Sequence, residues 1–296
     1  MMKKIFQTQC PARALATYVC AATLLVACNA QSYSSPDGYD LKKPQKTELG
    51  KVLNEISGLT WYPENAALLA ISDSKEKVFE INLEKRKLKD FTDKVVGPQN
   101  DLEDLVKVDS LLFLLSSKGI IYLVADKKKG DTSGTIAYTF NSDRKNDFET
   151  LYYDPTARSL IMVCKTCGSD KEDQVHSAYR FDLATRTFDT AAYYTVADKD
   201  VKDILKDDKA KFRPSAAAIH PINKKLYMLA SAGNLLVILD PRGQVLETYN
   251  LNPDDFPQAE GIAFAPNGDM YISNEGKYGG KATLLAFPYQ TTAKSK

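Results

Sequence analysis

The sequence predicts an all-β fold, a single β-propeller of five blades, from three observations. A short motif returns five times along the 296 residues; the returns are 46, 46, 66 and 45 residues apart; and each repeat carries short apolar runs separated by turn residues. A period in the forties with strand-like content in every unit is the pattern of propeller blades stacked around an axis.

The first copy reads Asn54-Glu55-Ile56-Ser57-Gly58-Leu59-Thr60-Trp61-Tyr62-Pro63. The others are Asp101-Leu102-Glu103-Asp104-Leu105, Asp147-Phe148-Glu149-Thr150-Leu151, Arg213-Pro214-Ser215-Ala216-Ala217 and Gln258-Ala259-Glu260-Gly261-Ile262, the last three running on to Pro155, Pro221 and Pro266. Ser57, Glu149, Ser215 and Glu260 each sit six residues before a proline, and the alignment puts Glu103 at the same position.

Each repeat divides into strands at its turn residues. The first predicts strands at 57–62, 67–72, 78–83 and 87–91; the second at 103–108, 111–116, 120–125 and 135–140; the third at 149–153, 160–164, 177–182 and 187–194; the fourth at 215–219, 226–230, 235–239 and 245–251. The fifth supplies only three, at 260–265, 270–273 and 283–287, so its outer strand is expected from the other end of the chain, within 39–52. Closure of this kind removes the open edges a ring cannot leave exposed. A sixth blade is the alternative if the longest repeat hides one. That repeat carries 20 extra residues before Arg213, with Val201, Ile204 and Leu205 at helical spacing. A lid over the channel and a cap on a blade edge are both open readings of this helix.

Three segments are expected. Residues 1–27 read as a signal peptide, with Lys3, Lys4 and Arg13 ahead of an apolar run from Ala14 to Ala27 that is too short to span a bilayer. It ends in Leu25-Val26-Ala27-Cys28, the pattern of a lipobox, so Cys28 is the expected lipidation site; the alternative is an ordinary secretory signal. Residues 28–38 read as a flexible tether and 39–296 as the propeller. The protein is thus expected in the cell envelope, at the outer membrane or a periplasmic face, touching the membrane through its anchor alone and otherwise monomeric. The formal charge is +1, and loss of the three basic leader residues brings it to −2, which argues against a nucleic-acid partner. Beyond Cys28 only Cys164 and Cys167 remain. A local disulfide or two thiols at a hairpin bend is expected, with a redox-active pair as the alternative.

Residues two apart in a strand share a face, which pairs Glu55 with Ser57, Asp101 with Glu103, Asp147 with Glu149, Arg213 with Ser215 and Gln258 with Glu260. At the start of the innermost strands these would form two stacked rings around the axis, with six carboxylates and one guanidinium. Carboxylates ~6 Å apart repel by roughly 3 kcal/mol at an effective dielectric of about 20. Such a site takes up protons, pairs with Arg213 or binds a cation. Oxygen donors and only two histidines, His176 and His220, favour calcium or magnesium over zinc or copper. The candidate metal ligands are Glu55, Asp101, Glu103, Asp147, Glu149 and Glu260, with calcium the expected ion, against the alternative of a hydrated polar channel. Ser57, Ser215, Gln258 and Arg213, with Lys118 and Lys165 on the rim beside Asp73, Asn234 and Asn274, are candidates for holding a small anionic ligand. Ser215 and His220, five apart in one strand, point to opposite faces and make no catalytic pair.

The motif set resembles the SdiA-regulated, YjiK-like family of bacterial envelope proteins on Glu55-Ile56-Ser57-Gly58-Leu59, Asp101-Leu102-Glu103-Asp104-Leu105, Asp147-Phe148-Glu149-Thr150-Leu151, Arg213-Pro214-Ser215 and Glu260-Gly261-Ile262. The resemblance runs from about Tyr39 to Pro288. It implies a β-propeller, frequently a lipoprotein, similar at a distance to calcium-dependent propeller hydrolases and lactonases. Three functions follow as expectations. The first is a lipid-anchored propeller binding a divalent cation and a small anionic ligand. The second is a calcium-dependent hydrolase of an ester, lactone or phosphoester, with Glu149 the candidate base. The third is a module that binds a protein or glycan partner around a purely structural channel.

Overall fold

Five antiparallel sheets account for nearly all the regular structure in the computed structural model, which describes residues 33–75, 77–92, 95, 101–125, 135–142, 144–276 and 280–291. The expected signal peptide, Cys28 and the tether up to residue 32 lie outside the described residues.

The first blade is β2 (Ile56–Tyr62), β3 (Ala67–Ser72), β4 (Val78–Asn82) and β5 (Lys87–Asp90), and the second β6 (Leu102–Val108), β7 (Leu111–Ser116), β8 (Ile120–Ala125) and β9 (Ile136–Thr139). The third holds β10 (Phe148–Asp154), β11 (Ser159–Cys164), β12 (Val175–Asp182) and β13 (Thr187–Phe188), and the fourth β15 (Ala216–Ile219), β16 (Leu226–Ala230), β17 (Leu235–Leu239) and β18 (Val245–Asn250). In the fifth, β19 (Ala259–Phe264), β20 (Met270–Asn274) and β21 (Thr283–Phe287) are completed by β1 (Gln45–Glu48), which runs antiparallel to β21 from Gln45 opposite Ala286 to Glu48 opposite Thr283. The ring therefore closes with the N-terminal strand, as the missing fifth-blade strand requires.

The strands are apolar on both faces because each blade is sandwiched between two others. In β16, Tyr227 and Leu229 enter the core toward the fifth blade, while Leu226, Met228 and Ala230 enter the core toward the third. Five such cores fill the five gaps between blades. Alternation by two thus buries every residue of runs such as Ala67-Leu68-Leu69-Ala70-Ile71.

The long third repeat holds no sixth blade. Its single expected outer strand is split: β12 pairs with β13 at Phe181 and Asp182, and its first half pairs with β14 (Tyr194–Ala197). Helix α1 (Asp198–Leu205) follows, and its buried Val201 packs with Tyr194, Val196, Phe212 and Val237 between the third and fourth blades. The helix is a cap on the blade edge.

Two glycines mark how closely the blades approach. A Cβ on Gly58 would lie 2.6 Å from Asp104 Oδ1 and 2.8 Å from Asp104 Cα in the next blade, and one on Gly261 would lie 3.0 Å from Leu59 Cγ and 3.1 Å from Leu59 N in the first blade. Asp104 is itself buried, and its carboxylate accepts N–H bonds from Leu105 and from Leu151 of the third blade, both 2.8 Å, tying two blades together. Burial holds its carboxyl well above the usual range despite those two bonds. His220 also serves the fold. Its Nδ1 accepts from Ile222 and Asn223 N–H at 3.1 Å, its Nε2 meets Tyr39 Oη at 2.7 Å, and Tyr39 donates to Gly268 O at 2.6 Å. Burial, with Lys224 nearby, lowers the imidazole to about 4.

Candidate functional site

The five equivalent positions meet at the axis because of a repeated break in strand pairing. Leu102 faces Ser116 and Asp104 faces Leu115, which leaves Glu103 without a partner. Glu149 is skipped between Phe148 and Thr150, Glu260 between Ala259 and Gly261, and Ser57 falls in the break between Ile56 and Leu59. In the fourth blade Ser215 N–H donates to Leu229 O, the residue opposite Ala216. A bulge puts an extra residue on one strand and re-aims its side chain. Here the extra residue turns into the channel in blade after blade.

Ser57, Glu103, Glu149, Ser215 and Glu260 all line one cavity of about 170 Å³. A second set comes from the residue just past the second strand of each blade. Asp73, Lys165 and Glu275 line the same cavity, and their N–H groups donate to the carbonyls of Glu55, Asp147 and Gln258. Ser117 holds the equivalent place in the second blade, its N–H on Asp101 O and its Oγ 2.9 Å from Asp101 Oδ2. Gln258 completes the wall and bonds Glu275 through Nε2.

Five carboxyls therefore face one ammonium in this space. Burial, and next the charge of Glu149, push the Glu103 carboxyl up to about 9. The same two causes push Glu260 up to about 8. Burial followed by repulsion from Asp73 raises Glu275 to about 7, and burial followed by Glu55 raises Asp73 to about 6. Burial also raises Glu149, although its ion pair with Lys165 works against the rise. That pair outweighs the downward pull of burial on Lys165 and holds its ammonium above the usual range. Asp73 Oδ1 is buried with no hydrogen-bond partner among the described residues. The cavity is thus short of positive charge and short of donors.

The two-ring expectation differs from this geometry in identifiable places. Glu55, Asp101 and Asp147 are not among the residues of the cavity wall but act on its carboxyls by charge, and Glu55 also shares a side-chain hydrogen bond with Asp73. Arg213 turns aside, its Nη1 lying 2.6 Å from Phe212 O, 3.3 Å from His176 Nε2 and 3.5 Å from Asp198 Oδ2. Lys118 is exposed one residue beyond Ser117, whose backbone bond to Asp101 matches those of Asp73, Lys165 and Glu275. Asn274 is buried, with Nδ2 on Asp255 O and Thr283 Oγ1, and Glu275 holds the wall position instead. Glu275 was not among the sequence candidates; the signal for it was its register with Asp73 and Lys165 at the strand ends.

Cys164 and Cys167 are joined in a disulfide, with Cα atoms 5.9 Å apart. Their sulfurs lie with an Asp170 oxygen within 4.8 Å of one another, but the bond uses the sulfurs, and Asp170 already accepts from Ser169 Oγ, Ser177 Oγ and Ser177 N–H. Among the described residues no helix is long and apolar enough to cross a membrane.

Fold and site together define a five-bladed propeller with an acidic cavity on its axis. The SdiA-regulated family model matches residues 34–277, and the chain belongs to that family. No curated protein matches the chain. Among solved structures, it is similar to the PQQ-bound aldose sugar dehydrogenase of Streptomyces coelicolor at 12% identity and a TM-score of 0.51, over 84% of this chain and 99% of the other. It is also similar to regucalcin, a calcium-binding protein of Agrobacterium tumefaciens, at 13% identity and a TM-score of 0.50, over 87% and 96%. At such identities the likeness is one of fold.

Proposed function

We propose that this SdiA-regulated propeller binds a divalent cation, calcium by the nature of its donors, in the axial cavity, together with a small anionic ligand at the mouth. In this reading Cys28 carries the lipid that holds the protein at the cell envelope. The observation that carries the cation is the convergence of Asp73, Glu103, Glu149, Glu260 and Glu275 on one small space with a single ammonium and an unpartnered carboxylate oxygen. The donors fit calcium, which takes six to eight oxygens, and the absence of thiolate or imidazole from the wall disfavours zinc and copper. These five carboxyls would hold the ion, with Ser57 and Ser215 within the same wall. A bound cation would supply the positive charge that lets Glu103 and Glu260 ionise near neutral pH and draws an anion to the mouth.

Because those two carboxyls hold protons at pH 7, binding must release them. Calorimetric titration of metal-free protein with calcium, in two buffers of different ionisation enthalpy, should report the release of about two protons. Heat-silent titration with an unchanged melting temperature would remove the cation.

One observation favours hydrolysis as a second reading. Glu275, at about 7, suits a general base that draws a proton from water, whereas Glu149 is committed to Lys165. Turnover of chromogenic lactones or phosphoesters that disappears in Glu275→Gln would establish it.

A further inference from the structure

We infer that the anionic part of the ligand has its own subsite, a second cavity beside the axial one in which Arg213 grips a small oxyanion, phosphate or carboxylate. This deepens the proposed function and rests on it only in taking the ligand to be anionic.

The second cavity, about 120 Å³, is lined by Lys165, Thr166, Lys171, His176, Asp198 and Arg213 among others. Lys165 belongs to both walls, so the two spaces are neighbours across that residue. The guanidinium of Arg213 is held from one side. All its contacts, to Phe212 O, His176 Nε2 and Asp198 Oδ2, run through Nη1. Nε and Nη2 have no partner among the described residues. These two form the edge through which arginine grips a carboxylate or phosphate with two parallel bonds.

The supports of that arrangement are themselves fixed. His176 is buried, with Nδ1 3.0 Å from Cys164 O and Nε2 3.1 Å from Asp198 Oδ1, so the ring and the carboxylate that steady Nη1 are both anchored. Asp170, the other acid of the wall, is occupied by Ser169 and Ser177 and does not compete for the guanidinium. The Cys164–Cys167 disulfide spans Lys165 and Thr166, which keeps Lys165 between the cavities. Lys171 is exposed and adds charge at the entrance. An oxyanion here would sit beside the acidic cavity and feel its field. Loading that cavity with a cation therefore tightens the anion, and by linkage the anion tightens the cation to the same degree.

The test is titration of the folded protein with inorganic phosphate and, separately, with acetate, each with and without calcium. Binding of either probe is expected, weakened about tenfold or more by Arg213→Gln and several-fold by Arg213→Lys, which keeps the charge and loses the fork. Lys171→Gln, on the surface and without consequence for folding, should weaken it about threefold, and Lys118→Gln not at all. Phosphate alone binding marks a tetrahedral headgroup, and acetate alone a carboxylate. The subsite is overturned if the wild type binds neither probe, or if Arg213→Gln and Lys171→Gln bind as well as the wild type. If calcium fails to bind while phosphate binds through Arg213, the cation reading falls and the subsite stands. If calcium binds and both anions are ignored, the subsite alone falls.

Discussion

The two ends of the channel are built by the same five strands and differ in almost everything else. At one end Ser57, Glu103, Glu149, Ser215 and Glu260 surround a polar cavity. Further along the same strands, Leu59, Trp61, Leu105, Leu151, Tyr153, Ala217, Ile262 and Phe264 line an opening of about 160 Å³ that carries no carboxylate. The apolar end lies where the pairing is regular, from Leu59 opposite Ala70 to Tyr62 opposite Ala67, for example. The acidic end lies where the pairing breaks. Regular strands deliver side chains to the blade cores, and the breaks release one residue per blade for other work.

That contrast can be tested most strongly by pH. A carboxyl whose folded value is raised holds its proton longer when folded than unfolded, so its favourable contribution is complete below about pH 4 and is lost as pH climbs toward the folded value. Metal-free protein should lose stability between pH 5 and 9 at about 1.4 kcal/mol per pH unit for each of two carboxyls, Glu260 up to about pH 8 and Glu103 up to about pH 9. The double substitution Glu103→Gln and Glu260→Gln should flatten the curve, and saturating calcium should do the same. Melting temperatures across that range decide it; an equally steep curve in the double variant would mean the acidic end does not govern it.

At the apolar end the expected effect of a substitution is smaller. Leu105→Ala, a buried residue of the second blade, should cost about 3 kcal/mol by denaturant unfolding, with calcium affinity unchanged. A large loss of calcium binding would show that the two ends are mechanically coupled. Between the ends, Gly58→Ala should cost about 2 kcal/mol, because its Cβ would meet backbone as well as carboxylate of Asp104. Smallest, Tyr39→Phe should cost about 1 kcal/mol, since it removes the hydroxyl between His220 and Gly268. At this end pH acts in the other direction: His220, lowered to about 4, favours the fold above about pH 6.5, and that contribution is lost as pH falls toward 4.

Much of this was legible in the chain. Aligned repeats were enough to equate Ser57, Glu103, Glu149, Ser215 and Glu260, because a propeller repeats its geometry along with its pattern. The need for a closing strand followed from counting strands, and β1 supplies it. Less legible was anything that depends on one residue of register. Counting by twos placed Asp101 and Asp147 in one ring with the axial carboxyls, whereas the residues that line the cavity are Glu103 and Glu149, which the strand pairing skips. The same one-residue uncertainty put Asn274 where Glu275 lines the wall. Arg213 was recognisable as the lone cation of the motif set, but a long side chain goes where its partners are. His176 and Asp198 come from parts of the chain that no local pattern links to it.

Period and polarity of the repeats are local properties, written into the order of residues, and they specify five blades, the ring's closure and which position in each blade is special. Bulge registers, the tilt of Arg213 toward its own cavity and the high proton affinity of Glu103 and Glu260 arise from strands pressed together around an axis. Burial and the closeness of like charges exist only once residues some 40 to 200 positions apart share the same small space.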